Sequence, residues 1–145
     1  THNNAILGLY SMRESTRMIE GSGKRYDFIF FLRPDMKYLR PFNIRWFMLT
    51  KNIKVLTPRF GKSGGYNDRM FIGNYKQGMI FGKALDYLEE YIKGYVFIAE
   101  SFIKWLIHDK MFNYTNIMVR FIDYSFQRVR ANGEIAHLDR NLNGY

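Results

Sequence analysis

Apolar and polar positions follow two different periods along this chain of 145 residues. Apolar positions at helical spacing predict three helices, at residues 4–20, 75–91 and 98–109. Short apolar or alternating runs predict five strands, at residues 27–32, 53–56, 69–72, 116–122 and 125–130. Helices interleaved with short buried strands are typical of α/β domains. We therefore expect a mixed, mostly parallel sheet flanked by helices.

The strand at residues 27–32 carries the clearest pattern. The run from Phe28 to Leu32 is wholly apolar and rich in aromatic residues, which predicts a central strand buried on both faces. Pro34 ends it, because proline has no amide hydrogen to give to a central strand. Asp35 therefore follows the carboxyl end of a buried strand, where α/β sheets usually bind their ligands.

The composition narrows the possible classes of protein. Apolar residues make up 47% and charged residues 24% of the chain, which is typical of a globular domain. No apolar run is long enough to span a membrane, and the start is too polar for a signal peptide, so we expect a cytoplasmic protein. The net charge of +9 predicts attraction to anions. The basic residues are scattered rather than clustered, which argues against a nucleic-acid-binding protein.

The turn formed by Arg33, Pro34 and Asp35 has two interpretations. In the first, Asp35 binds a hard cation such as Mg²⁺ or Mn²⁺ and Arg33 binds a phosphate group. In the second, the two side chains form a local ion pair in a turn. The residues alone leave both open. The three histidines, at positions 2, 108 and 137, lack the spacing of metal ligands.

Residues 26–35, with the sequence YDFIFFLRPD, resemble a segment of glycosyltransferase-like proteins from algae, large algal viruses and some bacteria. In the broader GT-A class, the same place carries Asp-x-Asp, whose second acid binds the metal and the donor diphosphate. Asp35 matches that acid, whereas Arg33 replaces the first one. Three later stretches, at residues 64–74, 100–102 and 126–133, are similar to further segments of the family and follow in the same order.

This resemblance implies a glycosyltransferase that moves a sugar from a nucleotide-sugar donor to a glycan or protein acceptor. Asp35 would bind a divalent cation, Mn²⁺ or Mg²⁺. The catalytic residues would be Asp68, at the donor sugar, and Glu100, as the general base. We expect Asp35, Asp68 and Glu100 to line one cleft. The substrate-binding residues would be Arg33, Tyr66, Asn67, Arg69, Arg128 and Arg130.

The resemblance also sets the expected domain organisation. GT-A domains usually open with strands and a helix that bind the nucleotide base, whereas a single helix precedes the strand of Asp35 here. We therefore expect one partial GT-A-like domain over residues 1–145, without an N-terminal nucleotide-binding portion. The resemblance to proteins of large algal viruses also allows a viral origin. Two alternatives stay open: a non-catalytic structural or binding protein on this scaffold, such as a virion component, and a basic nucleic-acid-binding module.

Overall fold

The computed structural model describes residues 2–43, 45, 54–60, 64–123 and 126–137. Its helices are α1 (His2–Gly21), α2 (Tyr75–Gly82), α3 (Leu88–Ile92) and α4 (Ala99–Trp105), with a 3-10 turn at Ala84–Tyr87 and a π-helical turn at Leu106–Met111. Its strands are β1 (Phe28–Leu32), β2 (Met36–Tyr38), β3 (Val55–Pro58), β4 (Met70–Asn74), β5 (Val119–Ile122) and β6 (Phe126–Arg128).

The larger sheet has the strand order β1-β4-β3-β5, which confirms an α/β fold with a mixed sheet. The expectation of a mostly parallel sheet is wrong, because β4 pairs antiparallel with both β1 and β3 and only β3 and β5 are parallel. Residues 59–69 join β3 to β4 without a helix among the described residues. A parallel return needs a crossover of a dozen or more residues, usually helical, so this connection favours the antiparallel return.

Strand β1 lies at the edge of this sheet. The expectation that the run from Phe28 to Leu32 forms a central strand is therefore wrong. Its apolar character has a different cause, since both faces of the sheet are covered. Ile29 and Phe31 share the face of Phe71, whereas Phe28 and Phe30 share the opposite face with Ile72. Leu32, at the end of the strand, is 49% exposed.

The two faces of the sheet bury two separate cores. On one face, Val55 and Phe71 pack against residues of the helices, such as Phe81, whose ring stacks on Phe71 at 3.9 Å between centroids. On the other face, Leu56 and Ile72 pack against the two-stranded sheet formed by β2 and β6. Because successive strand residues point to opposite faces, β3 and β4 are apolar along most of their length.

The helices lie at the predicted positions, but 3-10 and π-helical turns interrupt the regions that were predicted as continuous α-helices. Asn74 caps α2, because its side-chain oxygen accepts a hydrogen bond from the amide of Gln77. The predicted helix at residues 75–91 is broken after Gly82 by the 3-10 turn. The predicted strand at residues 116–122 begins only at Val119, because Asn116 has a positive φ of 46°. Of the strand predicted at 53–56, residue 53 lies outside the described residues.

A close contact at Gly82 joins α2 to α1. A Cβ atom built on Gly82 would lie 1.9 Å from Oγ1 of Thr16, a fully buried residue of α1. We expect Gly82→Ala to reduce the free energy of unfolding by about 1–3 kcal/mol, the usual cost of overpacking. Gly8→Ala, in α1 with nothing within 4 Å of its Cβ position, should instead be neutral or stabilising. Urea denaturation of both variants measures the difference, and equal stabilities would contradict the packing described here.

Candidate functional site

The topology brings several segments to one edge of the larger sheet. Strands β1, β3 and β5 run in one direction and β4 runs in the other. The carboxyl ends of β1, β3 and β5 therefore lie beside the beginning of β4. Leu32, the last residue of β1, pairs with Met70, the first residue of β4. Residues 33–35 and 68–69 consequently lie at the same edge.

A cleft of about 630 Å³ lies at this edge, between α1, the start of α4 and the sheet. This volume is in the range of small-molecule sites. The charged residues of its lining are Arg33, Asp35, Asp68 and Arg69. The wall from α1 carries the small residues Ala5, Gly8, Ser11 and Ser15. The structure thus brings four of the predicted site residues together from two separate segments.

Arg33 and Asp35 form a bidentate ion pair. Nε of Arg33 donates to Oδ1 of Asp35 at 2.9 Å, and Nη2 donates to Oδ2 at 2.7 Å. The hydrogen bond from Arg33 lowers the pKa of Asp35, and the same bond raises the pKa of Arg33. The two side chains are 41% and 37% exposed, so the pair contributes at most about 1 kcal/mol to stability. The local ion pair considered from the sequence is therefore present.

Asp68 acts on the same guanidinium from the other segment. Its charge also raises the pKa of Arg33, which places the two groups within electrostatic range. In the part of the chain that the structure describes, no cation lies within ion-pair distance of Asp68. Its carboxylate can therefore accept hydrogen bonds from a ligand in the cleft.

The arrangement around Asp35 does not fit a divalent cation. Both carboxylate oxygens already accept hydrogen bonds from Arg33, and the charge of Arg128 also acts on Asp35. A cation at Asp35 would have to displace one guanidinium and bind near another. Among the described residues, no three His, Cys, Asp or Glu side chains form a group that could hold a metal.

The loop before β4 packs against the protein itself. Gly64 has a positive φ of 79°, and a Cβ atom on Gly65 would lie 2.0 Å from the carbonyl oxygen of Glu100. Tyr66 donates its amide hydrogen to that oxygen at 2.9 Å. Gly65 thus allows the loop to pack closely against α4.

Asn67 and Glu100 do not line the cleft. Asn67 is 1% exposed, and its side chain donates to the carbonyl oxygen of Phe60 and accepts from the amide of Arg69. It therefore shapes the turn, and its predicted contact with substrate has no support from this geometry. Glu100 is half-buried in the first turn of α4, whereas its neighbour Ala99 is part of the lining. The expectation that Glu100 shares the cleft of Asp35 and Asp68 is not met.

The two later arginines differ from each other. Arg128 is half-buried at the end of β6, opposite Met36, and its charge helps to lower the pKa of Asp35. Arg130 is exposed beyond the end of the strand. Neither lines the cleft, so their predicted contact with substrate has no support from this geometry.

Tyr66 makes a pair with His108 that the sequence did not indicate. Its hydroxyl lies 2.6 Å from Nε2 of His108, and its ring packs edge-on against Phe121 at 5.1 Å. The ring therefore makes contacts within the fold and does not line the cleft, so the predicted contact of Tyr66 with substrate has no support from this geometry. His108 belongs to the π-helical turn, a type of turn that is often found at functional sites. No local motif marks the pair, because its members are far apart in sequence.

Comparison with protein-family models, with curated proteins and with solved structures finds no match. No helix in the described part of the chain has the length and apolar character needed to cross a membrane. The glycosyltransferase assignment therefore stays a prediction from the motifs in the sequence.

The pair of Tyr66 and His108 predicts a specific pH dependence. Burial, and secondly the charge of Lys104, lower the pKa of His108. In the unfolded chain, His108 binds a proton at about pH 6.5, and in the folded chain it does so only at a lower pH. The free energy of unfolding therefore falls as the pH decreases through this interval. Between about pH 7.5 and about pH 5.5, the Tm of the parent should therefore decrease more than the Tm of His108→Gln does, which thermal unfolding of both proteins measures.

His137→Gln, at an exposed position, serves as the matched control. This variant removes an exposed histidine and leaves His108 in its environment, so we expect it to behave like the parent. The comparison uses the slope of Tm against pH, since the loss of the hydrogen bond alone changes Tm at every pH. Parallel slopes for the parent and His108→Gln would contradict the assignment.

Proposed function

We propose that this chain is a glycosyltransferase domain whose cleft binds a nucleotide-sugar donor for transfer to a glycan or protein acceptor. The observation that carries the proposal is that Arg33, Asp35, Asp68 and Arg69, from two separate segments, line one cleft of about 630 Å³. Such a set supplies donors for phosphate oxygens and acceptors for sugar hydroxyls. The four matching motifs in the sequence support the same class.

In this proposal, Arg33 binds the donor diphosphate. A guanidinium is a planar fork with five N–H donors, and Asp35 uses the Nε and Nη2 side of the fork. The Nη1 side can face a phosphate oxygen, with which it would form a short charge-assisted hydrogen bond. Asp35 then acts as a positioning residue that fixes the orientation of Arg33. This role replaces direct coordination of a cation by Asp35.

Asp68 is the carboxylate best suited to contact the sugars. It lies in the cleft with no ion pair among the described residues, so it can accept from a donor hydroxyl or take the proton of the acceptor. The aromatic lining, with Phe71, Phe81, Phe97 and Phe102, excludes water from one side of the site. We therefore assign the general base to Asp68 in preference to Glu100.

One observation favours the second candidate function, a non-catalytic binding or structural protein. The ion pair of Arg33 and Asp35 satisfies both groups within the chain, as in an ordinary turn. On this alternative, the cleft binds no nucleotide sugar. Titration with ligands separates the two candidates.

The donor site is tested by calorimetric titration of the protein with a panel of nucleoside-diphosphate sugars. We expect one of them to bind, and we expect Arg33→Gln to weaken its affinity about tenfold or more through loss of a charge-assisted bond. Arg17→Gln serves as the control. It removes the same charge from an exposed side chain whose ion-pair partner, Glu14, lies in the same helix α1. The absence of binding across the panel would leave the non-catalytic alternative.

The same titrations, repeated with Mn²⁺ and with a chelator, test whether binding of the donor requires a divalent cation. Because Arg33 already occupies both oxygens of Asp35, we expect the affinity to be the same in both conditions. A strict requirement for Mn²⁺, lost in Asp35→Asn, would instead make Asp35 the metal ligand that the resemblance implies.

The assignment of the base is tested by measuring transfer in two carboxamide variants. Asp68→Asn should slow transfer about 10²–10⁴-fold, the usual contribution of a general base. Glu100→Gln should retain most of the parent rate, because its side chain is outside the cleft lining. The reverse order of the two rates would restore Glu100 as the base and contradict the role given to Asp68.

A further inference from the structure

The cleft has two chemically different parts. Its four charged residues lie together at the sheet edge, and we call this part the rim: Arg33, Asp35, Asp68 and Arg69. Behind the rim, the space between α1, the sheet and the other helices is walled mainly by aliphatic and aromatic side chains. We call this part the apolar section, and its walls include Leu9, Ile29, Phe31, Phe71, Phe81 and Phe102.

The apolar section extends well behind the rim. On the sheet, the lining continues back to Ile29, three residues before the end of β1 at Leu32, which is about 10 Å along a strand. On α1, the lining runs from Ala5 to Ser15, which is about 15 Å along a helix. A ligand that fills the whole cleft therefore needs one polar end at the rim and an apolar body behind it.

The wall from α1 has few polar groups to offer to a ligand. The hydroxyl of Ser11 donates to the carbonyl oxygen of Leu7, and the hydroxyl of Ser15 donates to that of Ser11, both at 3.0 Å. Outside the rim, Asn4 is the other polar side chain in the described lining. A nucleobase and a ribose carry polar atoms that cost free energy when they are buried without partners. A hydrocarbon chain has no such atoms and fits this wall better.

Gly8 leaves open space in the same wall. A Cβ atom built on Gly8 would meet no atom within 4 Å, although this residue is part of the lining. A Cβ atom on Gly78 of α2 would instead lie 2.7 Å from the side chain of Ile29. Helix α2 is thus packed tightly against β1, whereas this part of α1 is not. Because protein interiors are normally close-packed, a gap beside apolar side chains favours an apolar occupant.

We propose, on the basis of the proposed function, that the apolar section holds the hydrocarbon chain of a lipid-linked glycan and that this lipid is the acceptor of the transferred sugar. The sugar of the acceptor then lies at the rim, next to the donor. Its hydroxyl oxygen forms a bond to the anomeric carbon of the donor, and Asp68 takes the hydroxyl proton. The bond from that carbon to the diphosphate breaks, and its electron pair leaves with the diphosphate.

The probes for the test are hexyl, heptyl and octyl β-glucoside. Each is titrated calorimetrically into the full chain, below its critical micelle concentration and without donor. The affinity should increase about threefold to fourfold with each added methylene group, because each group removes further apolar surface from water. Equal affinities for the three glucosides, or no binding, would overturn the proposal.

Gly8→Trp tests whether the chain lies in the cleft. The added ring should occupy the space beside position 8 and weaken the binding of octyl glucoside about tenfold or more. Gly8→Ala controls for the change of backbone, and Ile6→Trp adds the same ring at an exposed position outside the described lining. Both controls should bind like the parent. Equal affinities for Gly8→Trp and Ile6→Trp would mean that the chain binds elsewhere and would overturn the proposal.

Titration of the same proteins with a nucleoside-diphosphate sugar separates this site from the donor site. Gly8→Trp should bind the donor like the parent, because the rim is unchanged. If the donor binds and the glucosides do not, the acceptor proposal falls and the donor site stands. If the glucosides show the expected dependence on chain length and no donor binds, the chain site stands, whereas the glycosyltransferase proposal and the acceptor role fall. Loss of donor affinity in Gly8→Trp would place the nucleoside in the apolar section and overturn the lipid proposal.

Discussion

The pairing of β1 with β4 is the constraint on which the candidate site depends. Five residue pairs align the two strands, from Phe28 opposite Asn74 to Leu32 opposite Met70. Because the strands are antiparallel, the end of one is beside the start of the other. The ion pair of Arg33 and Asp35 is thereby placed close to Asp68. A shift of β1 against β4 by one residue would turn Phe31 away from Phe71 and the helices, so the core itself fixes the geometry of the site.

The same pairing explains why an edge strand is so apolar. β1 is covered by helices on one face and approached by aromatic residues on the other, where Phe30 and Phe42 pack edge to face at 5.9 Å. Burial on two faces therefore does not require a central position in the sheet. The exposed end at Leu32 marks the point where this cover stops and the charged lining of the cleft begins.

The fold class and most helix positions could be predicted from periodicity, and Asn74 could be predicted as a cap from its residue type alone. The position of Asp35 at the end of a strand and its grouping with Asp68 could also be predicted. The strand order could not, because pairing is set by contacts between distant residues. Asn67 and Tyr66 were assigned to substrate because sequence gives no orientation, and the structure turns both inward.

The proposed ligand site consists of Arg33, Asp35, Asp68 and Arg69. Chemical-shift mapping of the ¹⁵N-labelled protein tests it most directly, with a nucleoside-diphosphate sugar added in steps. We expect the shifts to concentrate in the amides of residues 33–36 and 68–70 and in the guanidinium signals of Arg33 and Arg69, all saturating together. Saturable shifts confined to residues outside the cleft, or shifts in only one of the two segments, would contradict it.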